Sequence, residues 1–117
     1  MLEPKERPRE LIGNTYKVIV GCGTIYVTVN HDDTGVIEIF SRLGKAGQCG
    51  ASQTEALCRA VSIGLRAGVD VQSYIKQLIG IRCPKEFWDE GKLVLSCADG
   101  IARAIKKEVD KLNGVEK

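Results

Sequence analysis

The chain has 117 residues, of which 44% are apolar and only 5% aromatic, a length and balance that fit one domain with a core of Val, Ile, Leu and Ala. Seventeen Lys and Arg against fifteen Asp and Glu leave a net charge of +2. That balance is too mild and too scattered for the concentrated basic surface of a dedicated nucleic-acid binder.

Residues 1–13, MLEPKERPRELIG, carry charges and prolines but no apolar stretch, so they predict a flexible arm and not a secretory signal. No apolar run approaches the roughly 18 residues that span a membrane. The expected location is therefore cytoplasmic, where thiols stay reduced, and no membrane partner is expected. Five cysteines, an odd number, cannot all pair within the chain.

Tyr16 to Gly21, YKVIVG, is strand-like. Thr24 to Asn30, TIYVTVN, alternates strictly, with Ile25, Val27 and Val29 on one face and Thr24, Tyr26 and Thr28 on the other. Only GCG separates these runs, short enough for a hairpin turn. HDDTG supplies the next turn and Val36 to Ser41 a third strand. Connections this short favour an antiparallel meander.

The period then changes. LGKAGQCGA reads as a glycine-rich loop, and Ser52 to Glu55, SQTE, as a capping box opening a helix. Its apolar stripe is Leu57, Val61 and Leu65, widened by Ala60, Ile63 and Ala67, with Gly68 as the stop. Asp70 caps a short second helix carrying Ile75, Leu78 and Ile79 and ended by Gly80. Residues 81–95 read as a loop. Ser96 is the N-cap of a final helix, Asp99 its capping-box acid and Cys97 its first residue. Ile101, Ile105, Val109 and Leu112 form its buried stripe; Lys106, Lys107, Asp110 and Lys111 form its solvated side. The fold class is α+β: a three-stranded antiparallel meander packed against about three helices, one domain over residues 14–112 with a tail at 113–117.

The cysteines divide by local context. Cys22 lies between two glycines in a turn, Cys49 in another glycine-flanked stretch before a helix, and Cys83 beside Pro84 in a loop. Cys97 opens a helix, where free N–H groups favour a thiolate. Cys58 lies within the first long helix and reads as a packed small hydrophobe. Four corner cysteines can converge on a metal, but spacings of 27, 34 and 14 residues contain no CxxC pair. Buried free thiols remain the plainer reading at this point.

Glycines 44, 47 and 50 between a strand and a helix resemble a phosphate cradle, although neither the Walker nor the dinucleotide pattern is present. The plainer alternative is a turn whose glycines allow close approach around Cys49. His31 reads as a solvated turn residue, Asp32 and Asp33 as turn-formers, and Phe87 and Trp88 as aromatics anchoring a loop to the core. No nucleophile–base constellation stands out.

TYKVIVGCGTIYVTVN, GKAGQCGASQTEALCRAVSIGLRAGVD, KQLIGIRCP and LSCADGIARAI occur here in order, from Arg7 to Ile105. Together they resemble the TSCPD domain found toward the C-terminus of vitamin B12-dependent (adenosylcobalamin, class II) ribonucleoside-diphosphate reductases. The Thr-Ser-Cys-Pro-Asp motif reads Leu95-Ser96-Cys97-Ala98-Asp99, keeping Ser, Cys and Asp. The resemblance implies a four-cysteine metal site of Cys22, Cys49, Cys83 and Cys97, with zinc the first choice on ligand type. Cys58 stands outside that set, and Ser96 and Asp99 hold the Cys97 end in place.

The resemblance also implies a non-catalytic accessory or C-terminal module whose partner is the catalytic subunit of the reductase, with adenosylcobalamin met only through that partner. The reductase's catalytic barrel, radical cysteine and cobalamin site belong to another region, and KLNGVEK lacks the tail cysteine pair of the full-length enzymes. The expected chain is an excised domain or a stand-alone unit. Two alternatives stay open. One is a nucleotide or nucleic-acid binding module using Lys45, Arg42 and the glycine loop, reinforced by Arg59, Arg66, Arg82 and Arg103. The other is a thiol-redox protein.

Overall fold

The computed structural model describes residues 3–44 and 49–114, with the side chain of Cys49 outside that description. Its frame is a three-stranded antiparallel sheet in the order β1 (Ile12–Val20), β2 (Gly23–Asp32) and β3 (Gly35–Leu43). The alternation in β2 has the predicted outcome: Ile25, Val27 and Val29 are fully buried, and Tyr26 faces outward. β1 starts at Ile12, earlier than Tyr16, because β2 continues to Asp32 and offers partners: Ile12 pairs with His31 and Gly13 with Asn30. The β2–β3 turn shrinks accordingly. The Asp32 carboxylate accepts from the Thr34 N–H at 2.8 Å, an Asx turn, and Gly35 follows at φ +124°.

Part of the N-terminal segment is tied to this frame. The Lys5 N–H donates to the Arg66 carbonyl at 2.9 Å, Lys5 Nζ pairs with Asp32 at 2.7 Å, and Arg7 Nε pairs with Glu38 at 2.6 Å.

Three helices follow: α1 (Cys49–Arg66), α2 (Val71–Leu78) and α3 (Cys97–Leu112). α1 begins at Cys49, so Ser52 is an interior residue and the expected capping box is not its start. Ala51 already packs on the core, and that contact supports the extra turn. The buried line of α1 is Thr54, Cys58, Val61, Ser62 and Leu65, while Ala60 and Ile63 are exposed. A polar contact explains this rotation. Ser62 Oγ accepts from the Ile39 N–H at 2.9 Å and donates to the Ile39 carbonyl at 2.8 Å. One hydroxyl thus satisfies both backbone groups that Ile39 presents on the outer edge of β3.

Asp70 caps α2 by accepting from the Gln72 N–H at 3.2 Å; Ile75 and Leu78 are buried, and Ile79 is exposed. The expected loop over residues 81–95 contains a small hairpin, β4 (Phe87–Asp89) and β5 (Lys92–Val94). Glu90 at φ +51° and Gly91 at φ +79° form its two-residue turn, the left-handed pair that matches strand twist. Phe87 and Trp88 are exposed and do not anchor the segment; Val94 does. α3 lies against all three strands, α1 against β3, and α2 against α3. On α3, Ile101, Ile105 and Val109 are buried as expected, but Leu112 is exposed and Glu108 takes a core position. Among the described residues, no helix is long and apolar enough to cross a membrane.

Candidate functional site

The site forms where the 80–86 segment and the β1–β2 turn meet the start of α3. Ser96 is the N-cap, as predicted: its Oγ accepts from the Asp99 N–H at 3.1 Å and donates to the Ile81 carbonyl at 2.6 Å. Asp99 does not return to Ser96 as a capping-box acid would. Its fully buried carboxylate accepts from the Gly80 N–H at 2.8 Å, the Leu95 N–H at 3.0 Å and Arg103 Nε at 2.9 Å. Burial pushes this carboxyl up, but the two N–H groups and Arg103 outweigh it and hold it below the usual carboxylate range. Asp99 therefore joins the exit of α2 to the entry of α3. The Cys83 N–H donates to the Leu95 carbonyl at 3.0 Å, which brings Cys83 close to Cys97.

Cys22 reaches the same place from the sheet. A Cβ on Gly21 would collide with the Lys85 carbonyl, so only glycine lets the turn approach this segment so closely. Gly21→Ala is expected to push the two apart and cost about 1–3 kcal/mol, the usual effect of overpacking, in a denaturant melt.

Cys22 and Cys83 both lie near enough to the Cys97 thiol to disfavour its charged form. Burial first, then Cys22 and Cys83, push Cys97 up to about 11. The helix start was expected to favour the thiolate. A backbone N–H does so, but burial and the neighbouring sulfurs outweigh it. Cys22, Cys83 and Cys97 thus lie in one neighbourhood, but no group of three or more His, Cys, Asp or Glu stands ready to hold a metal among the described residues.

Cys58 is 1% exposed in the α1 seam and lies 3.5 Å from Ser41 Oγ, packed as expected. The Cys49 side chain and Lys45, both predicted site residues, lie outside the described residues. Arg42 is elsewhere, on the outer face of the sheet opposite Tyr26. Arg59, Arg82 and Arg103 pair with Glu55, Glu86 and Asp99 one turn away, so these three do not form an unopposed basic face.

A second polar cluster lies beneath α3. Glu108, 1% exposed, accepts from Asn14 Nδ2 at 2.8 Å and the Tyr16 hydroxyl at 2.6 Å. Its other oxygen is 3.1 Å from His31 Nδ1, an ion-pair distance without the alignment of a hydrogen bond. His31 is therefore a strand residue facing a buried carboxylate and not a solvated turn residue. Burial, then the Glu108 hydrogen bond and charge, push the Tyr16 hydroxyl up; Lys111 Nζ sits 4.9 Å from the ring centroid. Strand parity held a signal: His31 continues the series of Ile25, Val27 and Val29, and Glu108 falls seven residues after Ile101.

Ser96→Ala is expected to lower stability by about 1–2 kcal/mol, since it removes the cap and leaves the Ile81 carbonyl without its donor. A urea titration of variant and parent measures this difference.

The family model for the TSCPD domain matches residues 2–109. Similar curated proteins are the vitamin B12-dependent ribonucleotide reductases of Streptantibioticus cattleyicolor, Streptomyces clavuligerus and Streptomyces coelicolor, each 35% identical over 80 residues. Those residues make up 68% of this chain but 13% of the first relative and 8% of the other two. No solved structure gives a significant match. With the motif residues Ser96, Cys97 and Asp99 at the centre of the site and the family model spanning nearly the whole chain, this protein belongs to the TSCPD domain family.

Proposed function

We propose that this chain is a non-catalytic, zinc-stabilised module of the vitamin B12-dependent ribonucleotide reductase system, acting in the cytoplasm in deoxyribonucleotide synthesis. It docks on, or regulates, the catalytic part of that enzyme, and meets adenosylcobalamin only through it. The observation that carries the zinc assignment is the approach of Cys22 and Cys83 to Cys97 at the start of α3. Three sulfur donors from three separate segments suit a tetrahedral thiolate site, and Cys49 at the start of α1 is the proposed fourth ligand. A zinc ion held this way supplies cross-linking and no redox chemistry. Ser96 and Asp99 fix the α3 end, the Cys83–Leu95 hydrogen bond fixes the loop, and Gly21 lets the Cys22 turn reach them.

The deciding measurement is elemental analysis of protein purified without added metal, with thiol titration alongside. One zinc per chain is the expected result. No metal, with Cys22 and Cys97 reversibly oxidised to a disulfide, would select the thiol-redox reading, which the nearness of those two thiols favours. The pure chain is also expected to reduce no ribonucleotide with adenosylcobalamin and a dithiol; turnover above background overturns the non-catalytic role.

A further inference from the structure

The inner face of the sheet is covered by α3, but its outer face carries an arrangement that the metal-site reading does not use. Cross-strand register places Lys17, Tyr26 and Arg42 in one row over β1, β2 and β3. The adjacent row is Thr15, Thr28 and Phe40. Tyr26 is 40% exposed and Phe40 49% exposed. They are diagonal neighbours on adjacent strands, about 7–8 Å apart in such a sheet.

A globular domain with so few aromatics has reason to bury them, yet two stand side by side in water here. The cations beside them are unopposed: neither Lys17 nor Arg42 has a carboxylate partner among the described residues. The nearby acids are engaged elsewhere. Glu38 on the same face binds Arg7 and Asn30, and Glu55 pairs with Arg59 at 2.6 Å. The face therefore combines two exposed rings with a positive charge on either side of Tyr26.

We propose that this outer sheet face binds single-stranded nucleic acid, with successive bases stacked on Tyr26 and Phe40 and the backbone phosphates paired with Lys17 and Arg42. Every base has a flat face, so stacking of this kind tolerates any sequence, and open antiparallel sheets with exposed aromatics suit it. The Thr15 and Thr28 hydroxyls, 2.8 Å apart, offer polar contacts at the edge of the platform. The low net charge is no obstacle, because the positive potential is local to one row of the sheet. Two neutralised phosphates predict a shallow salt dependence, a slope of about −1.4 in log K against log salt for a single strand.

The test is fluorescence anisotropy of a labelled twelve-nucleotide oligo(dT) titrated with the full chain at several salt concentrations. Tyr26→Ala and Phe40→Ala should each weaken binding roughly 5- to 100-fold, while Tyr26→Phe should retain it because the ring remains. Lys17→Ala and Arg42→Ala should each reduce the salt slope by about 0.7. Trp88→Ala, which removes an exposed aromatic on the β4–β5 hairpin, should change nothing. Circular dichroism of each variant verifies that the fold is intact. Absence of binding by the parent overturns the proposal, as does equal binding by parent, Tyr26→Ala and Phe40→Ala. Loss of association with the reductase's catalytic chain in Tyr26→Ala, without oligonucleotide binding by the parent, would assign the face to a protein partner and overturn it as well.

Discussion

Replacing Glu108 with Ala is expected to destabilise the domain by about 3–5 kcal/mol, the cost of leaving several buried polar groups without their shared acceptor. The reason lies in what remains. Asn14 Nδ2, the Tyr16 hydroxyl and His31 Nδ1 all converge on this carboxylate, and Ala leaves them facing one another under α3 with no acceptor. A chain of this size should then melt more than about 10 °C lower. A variant melting within a few degrees of the parent would mean that water replaces the carboxylate without cost.

The same residue sets an acid dependence. Burial pushes the Glu108 carboxyl up, but hydrogen bonds from Tyr16 and Asn14 and the attraction of His31 outweigh it, so its pKa lies below the usual carboxylate value. Asp99 is held low by Gly80, Leu95 and Arg103 in the same way. A depressed folded-state pKa contributes stability that is fully present above the unfolded value, about 4, and is lost as pH falls through the lower folded value. The parent should therefore lose stability below about pH 4. Glu108→Ala should lose less over that interval, because one of the carboxylates held low in the folded state, a set that also includes Asp32 and Glu38, is gone. Urea titrations at pH 6 and pH 3 compare the two; an equal loss in both proteins would remove Glu108 from the acid response.

Cys83→Ser is the second large effect. Under the zinc proposal it should strip the metal and lower stability by on the order of 5 kcal/mol or more, because in a small metal domain binding free energy is folding free energy. Cys58→Ala is the matched control. It removes a thiol buried in the α1 seam, so it should cost about 1 kcal/mol through packing and leave the metal content unchanged. Metal content by elemental analysis, read with the melting temperature, separates the two. Equal metal loss in both variants would undo the division of the cysteines into ligands and packing.

Local patterns carried much of this fold. The alternation of Thr24 to Asn30 set which face of β2 is buried, because side chains in a strand alternate whatever lies opposite. Ser96 three residues before Asp99 marked the start of α3, because an N-cap is a contact within one turn. Cys58 at a helical interior position read as packed, and it is. The β4–β5 hairpin was written in the Glu90-Gly91 pair between two short apolar runs, although runs of three residues are too brief for periodicity to register.

What tertiary structure alone decided are the contacts between polar groups far apart in sequence. Tyr16 and Glu108 are 92 residues apart, and the helical spacing that puts Glu108 on the Ile101 side does not say which groups meet it until β1 and β2 bring them there. The rotation of α1 was settled by Ser62 binding the free edge of β3 at Ile39, a polar contact that an apolar stripe cannot foretell. Asp99 looked like a capping acid, but two backbone N–H groups and Arg103 compete for its carboxylate and win once α2 and Leu95 close over it. The nearness of Cys22 to the segment that carries Cys83 likewise depends on the close approach of Gly21 to Lys85, since residues in separate turns become neighbours only when the backbones between them pack.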